Sequence, residues 1–162
     1  MSVIEKSTTV EVPRRTAYDQ WTQFESFPQF MEGVESVTQL DDKHLHWKAE
    51  IAGVTREWDA EIFDQTPDER ISWRAVDGAK NDGTVSFAPE QAGATRVTLR
   101  IEFEPDGFAE KAGDALNIVD RRVGKDLESF KQFIEERGAE TGSWRGEVKP
   151  SGQVDHDPNA GL

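Results

Sequence analysis

Cysteine is absent from the 162 residues. Disulfides, thiolate catalysis, cysteine zinc sites and iron–sulfur clusters are thereby excluded. Long apolar runs are also missing. No segment approaches the ~20 residues that span a bilayer, so no stable membrane insertion is expected. The opening residues, MSVIEKSTTVEV, lack the basic-then-apolar plan of a secretory signal, and a cytoplasmic location is the expectation. Positive charge is scarce, with 19 Lys and Arg against 32 Asp and Glu and a formal net charge of -13. That balance opposes binding to nucleic-acid backbones and anionic membranes. The densest basic pair, Arg121-Arg122, lies between Asp120 and Asp126. The glycine-rich phosphate loops and the G-x-S-x-G elbow are missing too, and no cofactor is called for.

What is present begins with one long stripe. Leu116, Val119, Val123, Leu127, Phe130, Phe133 and Ile134 recur at steps of three and four, which predicts a helix over 114–138 with Gly138 as its stop. Arg121, Arg122, Lys125, Glu128, Glu135 and Glu136 fill the other side. Upstream, Ile4 to Val12 reads as a strand that Pro13 ends. Two short helical stretches follow, around Arg14 to Phe24 and Glu25 to Met31.

From Val34 onward the period changes to two. Leu45, Trp47, Ala49 and Ile51 share one face and His44, His46, Lys48 and Glu50 the other. Trp58, Ala60 and Ile62, then Ile71, Trp73 and Ala75, then Val85 and Phe87, then Val97, Leu99, Ile101 and Phe103 repeat the pattern. Such alternation gives antiparallel strands with one dry face and one wet face. Ala52-Gly53, Thr66-Pro67-Asp68, Asp77-Gly78 with Asn81-Asp82-Gly83, and Gln91-Ala92-Gly93 supply turn chemistry between the runs. The class is α+β: a curved antiparallel sheet of six to seven strands, two short helices after strand 1, and a long terminal helix to cover the dry face. Residues 1–146 form one domain. Residues 147–162 read as a disordered acidic tail, and the part beyond about Ser151, with no periodic apolar pattern, is expected to be dispensable for stability.

The words within this order are specific. Val12-Pro13 followed by Ala17-Tyr18-Asp19-Gln20-Trp21, then Phe24-Glu25-Ser26-Phe27-Pro28-Gln29-Phe30-Met31 and Gly33-Val34-Glu35-Ser36-Val37, resemble the strand-to-helix entry and second helix of the SRPBCC superfamily. These are also called START-like or helix-grip proteins. Trp47, Trp58, Ile71-Ser72-Trp73 and Gly83-Thr84-Val85-Ser86-Phe87 resemble its sheet, and the likeness runs from about residue 2 to Trp144-Arg145-Gly146. It is strongest to the bacterial polyketide cyclase/dehydrase branch, related to coenzyme Q-binding proteins. The resemblance implies a helix-grip fold and a small apolar or amphipathic ligand held between sheet and helix. It assigns no catalytic residue, and the superfamily includes carriers, lipid binders and cyclases alike.

Candidate chemistry is sparse. His44 and His46 share a strand face with charged neighbours, and the sequence specifies no third ligand, so no metal site is expected. The paired carboxylates fall on wet faces rather than in the apolar setting a general acid needs. The tryptophans carry the sharper signal. Trp47, Trp58 and Trp73 stand on the dry face with Ala49, Ala60 and Ala75 beside them. Large and tiny residues alternating under one helix suit a hollow of ~300 Å³ or more, and suit a filled core as well. The expected ligand-binding set is Trp47, Ala49, Trp58, Ala60, Ile71, Trp73, Phe87, Leu99, Ile101, Leu116, Val119 and Val123, with Tyr18 and Arg56 as polar groups at the rim. Binding without catalysis is the favoured function. A cyclase/dehydrase-type enzyme and a protein-interaction module, the latter using the outer sheet face or the tail, are the alternatives.

Overall fold

The computed structural model describes residues 2–51, 53–76, 81–103 and 112–155, the side chains of residues 2, 51, 54 and 112–116 excepted. Strand β1 (Ser2–Val10) leads through Pro13 into helix α1 (Arg14–Trp21) and a 3-10 segment (Phe24–Gln29). Strands β2 (Val34–Gln39), β3 (His44–Ile51), β4 (Val54–Thr66), β5 (Arg70–Ala75), β6 (Asn81–Pro89) and β7 (Thr95–Phe103) follow. Helix α2 (Ala112–Arg137) and two short strands, β8 (Glu147–Val148) and β9 (Val154–Asp155), complete the described chain.

The alternating runs pair as an antiparallel meander from β2 to β7, and β1 returns to the far edge beside β7, giving the order β1-β7-β6-β5-β4-β3-β2. This is the α+β fold expected from the sequence, with the long helix packed on the sheet. Direct cross-strand partners share a face. Trp47 opposite Trp58, Ile62 opposite Trp73, Trp73 opposite Gly83 and Gly83 opposite Ile101 therefore all point toward α2. A register shift between Ile62 and Asp64 resets the parity of β4. Beyond it Gln65 turns inward opposite Ile71, while Phe63 meets Arg74 on the outside, with the guanidinium 5.1 Å from the ring centre.

The stripe on α2 lies where its spacing puts it. Val123, Leu127, Phe130 and Ile134 are buried, Val119 and Phe133 partly so. Gly138, at φ 71°, ends the helix by donating its N–H to Ile134 O at 2.9 Å. Under the C-terminal half of α2 the core is solid aromatic. Trp21 meets Phe130 with ring centres 4.9 Å apart and Phe27 at 5.5 Å, and Phe30 meets Phe130 at 5.2 Å.

Two expectations need correcting. Asn81-Asp82-Gly83 is not a turn but the start of β6, and Gly83 has a packing reason to be glycine. A Cβ there would fall 2.4 Å from Trp73 Cζ2, so the indole can lie across the strand only because the side chain is missing. The stretch after residue 146 is not a free tail up to Asp155. Val148 is fully buried and pairs with Gln65 of β4, and Val154 pairs with Val148 while packing on the core. Two isolated valines suffice because β4, at 13 residues, runs past β3, whose pairing stops at Glu61, and leaves edge for Val148 to pair. Residues 156–162 lie outside the described residues. Just before this hairpin, Arg145 grips Asp19 of α1 (2.5 Å) and Asp68 of the β4–β5 turn (2.7 Å), fastening the end of the domain to its beginning.

Candidate functional site

The two halves of α2 sit on different ground. Toward the C-terminus the helix rests on the filled core; toward the N-terminus it spans a recess of about 140 Å³. The sheet side of the recess is Trp47 and Ala49 of β3, Trp58 of β4, Trp73 of β5, Asn81 of β6, and Leu99 and Ile101 of β7. Trp21, Phe27 and Met31 close one end, and Gly33, Val34 and Glu50 form the side where β2 and β3 meet. The helix contributes Val119, Arg122, Val123 and Asp126. Trp47 and Trp58 are stacked in parallel, with ring centres 5.9 Å apart and an angle of 2° between their planes, so together they form one aromatic block beside the recess. A space of this size takes about one benzene ring. It is smaller than the ~300 Å³ expected from the Trp and Ala alternation, because the Trp47–Trp58 stack and the Trp73 ring lying over Gly83 fill part of the hollow.

Of the residues singled out in the sequence, Trp47, Ala49, Trp58, Trp73, Leu99, Ile101, Val119 and Val123 come together around this recess. Ala60, Ile71 and Phe87 do not line it; they are buried in the adjoining core. The Leu116 side chain is outside the described residues. Tyr18 is placed in the core rather than at a rim. It is fully buried, accepts a hydrogen bond from Gln65 Nε2 at 3.0 Å, lies edge-on to Phe87, and has Arg145 over its ring. Burial pushes its hydroxyl pKa well above the ordinary tyrosine value. Arg56 stands opposite Ala49 on the wall side of β4 but is not part of the lining.

The polar residues of the recess were not singled out as a site. Arg122 and Asp126 sit one helical turn apart on α2 and face the apolar walls. Asp126 is 8% exposed. Arg122 Nη1 and Asp126 Oδ1 are both buried and lack a hydrogen-bond partner among the described residues, as do Nε1 of Trp47 and Nε1 of Trp21. Burial pushes the Asp126 carboxyl up to about 7, with Glu32 adding to the rise and Arg122 and Lys125 opposing it. The guanidinium of Arg122 lies directly on Gly33, where a Cβ would come within 2.2 Å of Nη1. An ion pair between Lys125 and Glu32 ties the helix to the same segment. The signal for Asp126 was available in the sequence. Val119, Val123, Asp126, Phe130 and Phe133 form one continuous helical row, with a carboxylate in the place of an apolar residue.

The two described histidines, His44 and His46, pair with carboxylates on the outer face. His44 Nδ1 meets Asp41 at 2.9 Å; His46 meets Asp59 at 2.7 Å and Glu57 at 3.2 Å. The carboxylates raise the pKa of His46. Among the described residues no group of three or more His, Cys, Asp or Glu is arranged to hold a metal ion. Nor is any described helix long and apolar enough to cross a membrane.

Comparison with known proteins agrees with this geometry. Residues 10–133 match the family model for polyketide cyclase/dehydrase and lipid transport. The chain is 52% identical over 149 residues to an uncharacterized 17.2 kDa protein of the melC2-rnhH intergenic region of Streptomyces lincolnensis, a match covering 91% of this chain and 99% of that one. Among solved structures it is similar to the ZhuI aromatase/cyclase of Streptomyces sp. R1128, with a TM-score of 0.73, 19% identity, and 88% of this chain and 98% of that chain covered. It is also similar to a START superfamily protein of Mycobacterium smegmatis, with a TM-score of 0.63, 17% identity, and 83% and 95% covered. At these identities the structural likenesses speak to fold.

Proposed function

The chain belongs to the polyketide cyclase/dehydrase and lipid transport family, and from that premise we propose that it binds a small apolar or amphipathic molecule in the recess between the sheet and the N-terminal half of α2. One observation carries the reading. The long helix is not packed against the sheet along its whole length; where packing stops, the walls are largely aromatic and about one ring fits between them. Pockets are built mainly of such walls with a few polar groups among them. Titration calorimetry of the full chain with p-xylene tests this, because the ring matches the space and carries no polar group. Saturable binding at one site per chain is expected, and its loss in Val123→Trp, which would push an indole into the recess. Absence of binding by p-xylene and by benzene would remove the proposal.

A second reading, an enzyme of the cyclase/dehydrase type, draws on Asp126. A carboxyl held near 7 is matched to proton transfer at neutral pH, and Arg122 is placed to polarise a carbonyl oxygen beside it. Size weighs against that reading. A recess of about 140 Å³ does not enclose a chain long enough to fold back and close a ring. Binding therefore stands first.

A further inference from the structure

The recess is mostly apolar; its polar lining is Glu50 and Asn81 on the sheet side and Arg122 and Asp126 on the helix, and the helix pair carries the buried atoms without partners. On α2, Arg122 brings a donor, Nη1, and Asp126 an acceptor, Oδ1; both are buried and neither has a partner among the described residues. A buried polar atom without a partner is costly, and native structures leave few of them. Here two of opposite kind stand one turn apart on the same helix face, at the edge of a space that fits a ring.

Resting on the binding role argued above, we propose that Arg122 and Asp126 are the head-group site of the recess, and that they select a ring carrying a neutral hydroxyl, a phenol or a cyclic alcohol. A hydroxyl is the one simple group that fills both roles with a single oxygen. It accepts from Arg122 Nη1–H and donates its own proton to the Asp126 carboxylate. Trp47, on the sheet side of the recess, carries a further indole N–H without a partner among the described residues. The other common head groups fit less well. A carboxylate or phosphate gains Arg122 but meets the Asp126 carboxyl, with Glu32 and Glu50 close behind. An ammonium gains Asp126 but meets the guanidinium. Where Asp126 is ionised, a carbonyl takes the donor and leaves the carboxylate unpartnered.

The local packing fits this role. The guanidinium occupies its position only because residue 33 has no side chain, and a Cβ there would approach Nη1 to 2.2 Å and Cζ to 2.8 Å. The Lys125–Glu32 pair occupies the two neighbouring surface charges. The head group is thus placed from both sides, by the helix and by the turn into β2.

Three ligands of one shape test the inference by calorimetry on the full chain, at a pH above the Asp126 value of about 7 so that its carboxyl is ionised: p-xylene, p-cresol and p-toluate. In the wild-type protein p-cresol binds at least tenfold more tightly than p-xylene, and p-toluate more weakly than p-cresol. The preference for p-cresol over p-xylene falls to about threefold or less in Arg122→Met and in Asp126→Leu, both checked for a cooperative unfolding transition. Gly33→Ala supplies a third variant that leaves α2 unchanged and dislodges the guanidinium; it loses the preference as well. Equal binding of p-cresol and p-xylene overturns the head-group site while leaving an apolar pocket standing. So does a preference that survives all three variants. Tightest binding of p-toluate overturns it in favour of an anion site at Arg122. If none of the three binds, this inference fails, and if benzene does not bind either, the binding role fails with it.

Discussion

Asp126 makes a measurable claim about stability. Its carboxyl ionises near 3.8 in the unfolded chain and at about 7 in the folded protein, chiefly because it is buried. Between those values the native state holds a proton that the unfolded state has released. Stability therefore falls as pH rises through this window and is lowest, so far as this residue is concerned, above pH 7. At about 1.4 kcal/mol per pH unit the full penalty is about 4 kcal/mol. Asp126→Asn keeps the shape and removes the ionisation. The variant should match the wild type within about 1 kcal/mol near pH 4 and exceed it by about 2 to 4 kcal/mol at about pH 8, the lower figure allowing for the cost of burying an amide. Urea unfolding at pH steps from about 4 to about 8 reads the difference directly. Asp41, Glu61 and Glu135, whose pKa values are lowered by hydrogen-bonded partners, act in the opposite sense: their stabilisation is present above their unfolded values and is lost as pH falls through the folded ones. They are common to both proteins and cancel in the comparison. Parallel pH profiles for the two proteins, or a variant weaker than wild type at pH 8, would refute the account of a buried carboxyl without a partner.

Three further outcomes follow from packing. Arg145→Met should cost about 3 kcal/mol in guanidinium unfolding, since it leaves the Asp19 carboxylate, 1% exposed, with only the longer contact to the exposed Arg15 at 3.6 Å; a loss below about 1 kcal/mol would mean that Asp19 is neutral in the fold or that Arg15 suffices for it. Val148→Ala should cost about 2 kcal/mol through two lost buried carbons, and truncation before Glu147 should lower the melting temperature by several degrees; unchanged melting would show that the β8–β9 hairpin contributes nothing. Gly124→Ala should raise stability by up to about 1 kcal/mol, because the new Cβ meets only the movable Lys6 Cδ at 3.4 Å and the helix interior gains a better former; destabilisation would show that the helix sits closer to β1 than the structure has it.

The elements were legible where one period ran long enough to count. The stripe from Val119 to Ile134 and the alternation in β3 to β7 placed the helix, the strands and the dry face, and with them eight of the expected ligand-contacting residues around one recess. What escaped had no periodic signature. Val148 and Val154 are single residues in two-residue strands, and their burial depends on the overhang of β4. Tyr18 could be placed on a helix face, but whether its hydroxyl met a ligand or a buried glutamine was set by the parity change between Ile62 and Asp64, which turned Gln65 inward. Arg122 read as a surface residue because it borders the stripe. Charge at a stripe border is ordinary on a surface helix, and only the missing floor beneath that half of α2 gives it a different neighbour.

The placement of β1 bears on how the chain comes to be folded. Its first residue in the ladder pairs with Phe103, and its last with Thr95. β1 thus has no ladder partner until some hundred residues have followed it in synthesis, and Asp19 waits longer still for Arg145. Pairing at that distance must overcome the entropy of closing a large loop before any contact rewards it. The meander from β2 to β7 contains only neighbouring pairs and can assemble first. In that order β1 and α2 arrive late on an existing sheet, and until they do the aromatic face of β3 to β5 stands open to solvent. A nascent chain stalled in that interval would be prone to aggregation.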